Sequence, residues 1–136
     1  MPFEEIQHTA DWCLRVWATT LSELFAESAR GMNALSGMRL TPGPKTGRTF
    51  ESTAPDPESL LVAFLSELVY AAEQEHFAFE SFQVGVSEGL DGWKLKVEMA
   101  GAPIESIDKA IKAVTYHNLQ IRQTARGVEV EIVFDV

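Results

Sequence analysis

The sequence predicts an α+β fold: a single layered domain over residues 1–136, with two main helices packed on a mostly antiparallel sheet. Three observations predict it. Two stretches, one from Leu21 to Ser36 and one from Pro57 to about Gln74, repeat apolar residues at the helical period. After Phe77 the period falls to two. Turn-forming clusters at 87–92 and 124–127 then divide the late chain into hairpins, giving five to seven strands in all. There is no internal repeat and no low-complexity segment.

Phe3 to His8 reads as a short strand or an extended lead-in. From Asp11 to Ala18 the residues alternate, with Trp12, Leu14, Val16 and Ala18 on one face and Asp11, Cys13, Arg15 and Trp17 on the other. Thr20-Leu21-Ser22-Glu23 has capping-box spacing, a hydroxyl followed three residues later by a glutamate. Gly37 is a natural stop for the first helix. Gly37–Gly47 is rich in Gly and Pro and reads as a loop, and Arg48–Thr53 as a weak strand. Asp56-Pro57 starts the second helix, with a capping carboxylate followed by proline in the first position. Its apolar residues, among them Leu60, Leu61, Val62, Phe64, Leu65, Leu68, Val69 and Tyr70, cover much of the circumference, which predicts a central buried helix. Phe77 and Phe79 alternate, and Phe82, Val84 and Val86 continue in the opposite phase, so a bulge is expected near Ser81. Trp93, Leu95, Val97 and Met99 alternate with charged residues along a further strand. Gly101–Asp108 reads as a connection with room for a helical turn, and Ile111–Arg122 as a strand covered on both sides. In the last strand Val128, Val130, Ile132, Phe134 and Val136 face inward, opposite Glu129, Glu131 and Asp135.

Size and charge exclude several classes. The chain of 136 residues fits one domain with a real core. A formal charge of -9 argues against stable direct binding of nucleic acid, which needs clustered Lys and Arg, and favours cations or a basic protein partner. Cys13 is the single cysteine, so no internal disulfide can form, and a reducing compartment fits. The apolar runs are too short to span a bilayer, and no secretory leader pattern opens the chain. A cytoplasmic protein is expected.

Two carboxylates stand out. Asp11 and Asp135 each lie on the polar face at the end of a strand, and Asp135 adjoins Val136 with its terminal carboxylate. Brought together, such groups repel unless a cation lies between them. Asp11, Asp135 and Val136 are therefore a candidate site for a hard divalent metal. Oxygen donors alone suit Ca²⁺, Mg²⁺ or Mn²⁺ and disfavour structural Zn²⁺. His8 and His117 lie among polar residues from which either could orient a ligating carboxylate. His76 falls at a helix-to-strand turn and receives no role. Catalytic templates are absent: no glycine-rich phosphate loop, no nucleophile elbow and no His-Glu-x-x-His. Thr41–Gly47 has the wrong spacing and too much proline for a phosphate loop. Cys13 reads as a buried, inert thiol, and the three tryptophans as core or interface aromatics.

His8-Thr9-Ala10-Asp11, the 56–67 helix with Leu60-Leu61 and Ser66-Glu67-Leu68, the heptapeptide Ile111-Lys112-Ala113-Val114-Thr115-Tyr116-His117, and Val133-Phe134-Asp135-Val136 occur in that order. Together they resemble the archease family over nearly the whole chain. Trp12-Cys13 departs from the pattern, which has a small glycine-containing stretch there. The resemblance implies a non-enzymatic accessory protein of the RtcB-type tRNA-splicing RNA ligase, one that promotes guanylylation of the ligase, allows repeated turnover and relaxes its nucleotide preference. It also implies a divalent-metal site, often described with calcium, at Asp11, Asp135 and Val136. Two other readings compete. One is a metal-dependent hydrolase of a small phosphorylated substrate, with His8 or His117 as base. The other is a metal-free protein-binding or chaperone-like module.

Overall fold

The computed structural model describes residues 2–6 and 12–136. In chain order the elements are β1 (Phe3–Ile6), β2 (Trp12–Ala18), α1 (Leu21–Ser36), β3 (Arg39–Leu40), β4 (Thr46–Ala54) and α2 (Pro57–Glu75). They continue with β5 (Phe77–Gly89), β6 (Gly92–Ser106), β7 (Ala113–Val114), β8 (Arg122–Thr124) and β9 (Gly127–Asp135). Among the described residues every strand pairing is antiparallel, and the strands form two sheets where the sequence suggested one. The five-stranded sheet runs β1-β2-β9-β7, with β8 also on β9. The four-stranded sheet is organised on β6, which carries β5 along one edge and β4 followed by β3 along the other.

Both helices begin and end where local chemistry directs. The Thr20 hydroxyl accepts the Glu23 amide at 3.1 Å, and the Glu23 carboxylate takes a hydrogen bond from the Thr19 hydroxyl at 3.0 Å. Gly37 closes α1 in the left-handed conformation (φ 65°). At α2 the Asp56 carboxylate accepts the Ser59 amide at 2.7 Å, and His76 ends the helix at φ 52°, a conformation that disfavours a side chain. Phe64, fully buried on α2, joins the layers: its ring meets Phe25 of α1, Phe50 of β4 and Phe82 of β5 at centroid separations of 6.0–6.4 Å. The core draws on both sheets, including Leu14, Val16, Ile132 and Phe134 from one and Leu95, Val97 and Met99 from the other. The sequence pattern puts Tyr70 in the apolar girdle of α2, yet it is 57% exposed, so α2 keeps one face in solvent.

The register of β5 on β6 shifts between Phe79 and Ser81, the bulge expected from the change of phase. Gly101 sits opposite. A Cβ there would lie 1.8 Å from the Ala78 carbonyl oxygen, so only glycine lets the backbones approach at the bulge. This close passage lets β6 continue to Ser106 and overturns the expected 101–108 connection. Beyond Gly101, Ala102 and Pro103 still pair with Ala78 and Phe77, and Leu40 pairs with Ile104. The hairpin turn shrinks to Leu90-Asp91, and β4 extends two residues before and one beyond the weak strand read at 48–53. A side-chain layer also seals the outer edge of β5. The Val86 amide donates to Ser22 Oγ at 3.1 Å, and Asn33 Nδ2 donates to the Phe79 carbonyl at 2.7 Å, both partners coming from α1.

The strand expected over Ile111–Arg122 is also corrected. Only Ala113–Val114 and Arg122–Thr124 pair, and the intervening residues turn. Asn118 adopts φ 50°, and the Leu119 amide closes a turn onto the Tyr116 carbonyl at 3.1 Å. The physical reason is the spacing of the residues that pack inward. Ile111, Val114, Leu119 and Ile121 touch the core at irregular intervals, which no pleated strand can satisfy. Glu58 of α2 holds this segment by accepting the Ile121 amide at 2.9 Å. Among the described residues no helix is long and apolar enough to cross a membrane.

Candidate functional site

β2 and β9 are neighbours although they lie at opposite ends of the sequence. Trp12 pairs with Phe134, Cys13 with Val133, and the register continues to Ala18 opposite Val128. Gly127 opens β9 beside the end of β2. Its φ is 108°, and a Cβ there would approach the Ala18 carbonyl oxygen to 2.2 Å, so the pairing begins on a residue that only glycine fills without strain. At the far end, β9 finishes at Asp135, next to the described start of β2.

Of the residues singled out from sequence, Asp11 and His8 lie outside the described residues. Asp135 is exposed, and Val136 packs partly against the core. The Asp135 main chain is held by β7: it pairs with Ala113, and its carbonyl accepts the Lys112 amide at 2.8 Å. Its carboxylate has no ion-pair partner among the described residues. Carboxylate and main-chain oxygens are the donor types that suit a hard cation. Among the described residues, however, no three His, Cys, Asp or Glu side chains group closely enough to hold a metal ion.

His117 is placed by β9 as well. The Thr115 amide and hydroxyl both donate to the Val133 carbonyl at 3.0 Å, and the Thr115 oxygen in turn accepts the His117 amide at 3.2 Å. The Asn118 side-chain nitrogen stands 3.3 Å from His117 Nε2. Three participants escaped the sequence reading. Lys112 fixes the Asp135 main chain, Lys109 places its ammonium 5.0 Å above the Trp12 ring, and Asn118 adjoins the imidazole. The heptapeptide 111–117 carries most of these contacts, and its composition resembles that of a strand although it forms a strap against the end of β9.

The outer face of the five-stranded sheet is polar and cross-linked. Arg15 bonds Glu131 at 2.6 Å and Glu4 at 3.0 Å, its neighbours on either side, and Arg126 lies 3.7 Å from the Trp17 ring centroid while bonding Glu129. The hydrogen bond to Glu131 holds the Arg15 guanidinium above its ordinary value. Alternation puts Cys13 on this polar face, yet it is buried at 3% exposure, as its reading as an inert thiol expects, and Val133 opposite it is buried at 5%. Burial pushes the Cys13 thiol up, the Glu131 charge adds to that, and Arg15 partly opposes it. The thiol is thus held neutral, which agrees with an inert cysteine.

Residues 3–136 match the archease protein family (MTH1598/TM1083). The chain belongs to the archease family. It is 33% identical over 133 residues to the protein archease of Methanopyrus kandleri, covering 94% of this chain and 95% of that one. Identity to the Methanosarcina acetivorans archease is 34% over 140 residues, with coverage of 98% and 95%. The solution structure of Methanobacterium thermoautotrophicum protein 1598 superposes on this archease with a TM-score of 0.79 at 26% identity, covering 99% of each chain. The crystal structure of a Thermotoga maritima archease, described as a possible chaperone, shares the fold with a TM-score of 0.67 at 21% identity, covering 98% and 96%.

Proposed function

We propose that this archease is a non-enzymatic activator of an RtcB-type RNA ligase in the cytoplasm, promoting guanylylation of the ligase and its repeated turnover through an acidic divalent-metal site. The observation that carries the reading is the β2–β9 register, which sets the residue after Asp11 opposite the residue before Asp135 in a chain that matches the family from residue 3 to 136. In this reading Asp11, Asp135 and the main-chain oxygens of Val136 hold the cation, Ca²⁺ first and Mg²⁺ or Mn²⁺ next. When bound, the cation supplies positive charge against nucleotide phosphate oxygens. The rest falls to the chain's own groups. A net charge of -9 favours association of the chain with the basic cleft that a GTP- and RNA-handling ligase must present. The Lys112 amide fixes the Asp135 main chain, and Thr115 ties the His117 segment to β9.

The test is a guanylylation assay with purified ligase, GTP and catalytic amounts of this protein. Wild type is expected to raise the rate and number of turnovers. Asp11→Ala and Asp135→Ala are expected to lose that effect while circular dichroism remains native. Full stimulation by both variants, or none by wild type, refutes the proposal.

A further inference from the structure

A cleft of about 530 Å³ opens between the C-terminal ends of α1 and α2, the far part of β6 and the 107–112 strap. That volume falls among clefts that bury a bound group. Its walls are mainly apolar, with Met32, Leu68, Val69, Phe79, Ile104 and Ile111 among them. Ile107 on the strap is one of the exposed large apolar residues of the molecule. Methionine in such a wall adapts to more than one shape. The charges are lopsided. Glu73 and Glu105 line the cleft against the single ammonium of Lys112, and among the described residues neither carboxylate has an ion-pair partner. Nearby acids are matched: Glu75 bonds Arg48, and Asp108 lies 3.6 Å from Arg39.

We infer that this cleft receives an apolar anchor carried on a Lys- and Arg-bearing segment of the partner protein; that the partner is the ligase rests on the function proposed above. Charge selects this occupant. A second copy of the chain would bring its own charge of -9 against an acidic rim. A neutral apolar small molecule would leave Glu73 and Glu105 without a use. A basic amphipathic segment answers both the apolar walls and the carboxylates. The strap also connects the cleft to the end of β9. The Asp108 and Lys109 amides both donate to the Ser36 carbonyl at 3.0 Å, and the Lys112 amide donates to the Asp135 carbonyl. An anchored segment would therefore press on the piece of chain that holds Asp135.

The probe is a fluorescein-labelled helical peptide of leucines and lysines, compared by anisotropy with the same peptide carrying glutamate in place of lysine. Wild type is expected to bind the basic peptide at least about tenfold more tightly, the scale of one close charge pair. Ala72→Trp, which places an indole in the cleft, should weaken that binding about tenfold or more. Glu73→Lys combined with Glu105→Lys, both at exposed positions, should abolish or reverse the charge preference, and this pair carries the test if Ala72→Trp fails to fold. Equal binding of the two peptides by wild type, or an unaltered preference in the double variant, overturns the inference. In the guanylylation assay Ala72→Trp and the double variant should each stimulate less than wild type. Stimulation at the wild-type level by the folded variants overturns the cleft while leaving the metal-site reading intact. No stimulation by wild type refutes the ligase as partner, and the peptide arms still decide the cleft.

Discussion

The two sheets differ in how far along the chain their central partners lie. β5 and β6 meet across Leu90-Asp91, so their pairing is local and zips from a two-residue turn. β2 and β9 pair Trp12 with Phe134, and nothing between those residues forces the match except the folded core. Closing so long a loop costs entropy that is recovered only when many contacts form together. The candidate metal-binding end therefore belongs to the sheet that exists only in the complete fold. β2 and β9 are brought together by cooperative packing and not by any short motif. A folding defect far from Asp135 should accordingly disturb the site, whereas the β5–β6 hairpin should tolerate loss of the site residues.

Phe134→Ala strikes this contrast hardest. The ring is fully buried at the pairing with Trp12, and its removal is expected to cost about 3–5 kcal/mol in urea denaturation. Loss of ligase stimulation should accompany it. Next come Gly127→Ala and Gly101→Ala, expected to cost about 1–3 kcal/mol each because a Cβ would drive into a carbonyl oxygen on the neighbouring strand. Hydrogen exchange should separate them, with β2 and β9 amides accelerated most by the first and β5 and β6 amides by the second. Indistinguishable exchange patterns would mean that the two sheets open as one unit.

Smaller effects test the outer face. The Cys13 thiol has a raised folded-state value, from burial first and Glu131 second, so its contribution is fully present below the ordinary thiol value of about 9 and is lost as pH rises through the folded value. Wild-type stability should thus fall more steeply than that of Cys13→Ala on the alkaline side, as read from denaturation midpoints, and native Cys13 should resist alkylation until the protein unfolds. Smallest of all, Arg15→Gln is expected to cost under about 1 kcal/mol, less at high salt, because the guanidinium is partly solvated.

Much of this was legible in the sequence where local chemistry decides. Thr20, Gly37, Asp56 and Pro57 set the helix limits, and the phase change around Ser81 marked the bulge. What was not legible depends on distant partners. β6 runs through Gly101 because Ala78 passes close by, a fact about another strand that no window around residue 101 contains. The 111–121 segment has strand-like composition, but its inward residues answer to α2 and β9 at irregular spacing. Parity alone sets Cys13 among the charged residues of β2, whereas its reading as a buried, inert thiol agrees with its burial. At the site, parity put Asp135 on the polar face, where it is exposed. The roles of Lys112 and Thr115 are main-chain and hydroxyl contacts to β9, which side-chain patterns do not announce.

The hydroxyl of Ser22 and the amide of Asn33, reaching from α1 to Val86 and Phe79, have a consequence beyond stability. They occupy main-chain positions along a thirteen-residue strand that would otherwise offer itself to the edge of another molecule. In crowded solution, then, the helix works as a selvedge. Replacing both residues with alanine should leave the protein folded at low concentration and faster to aggregate at high concentration.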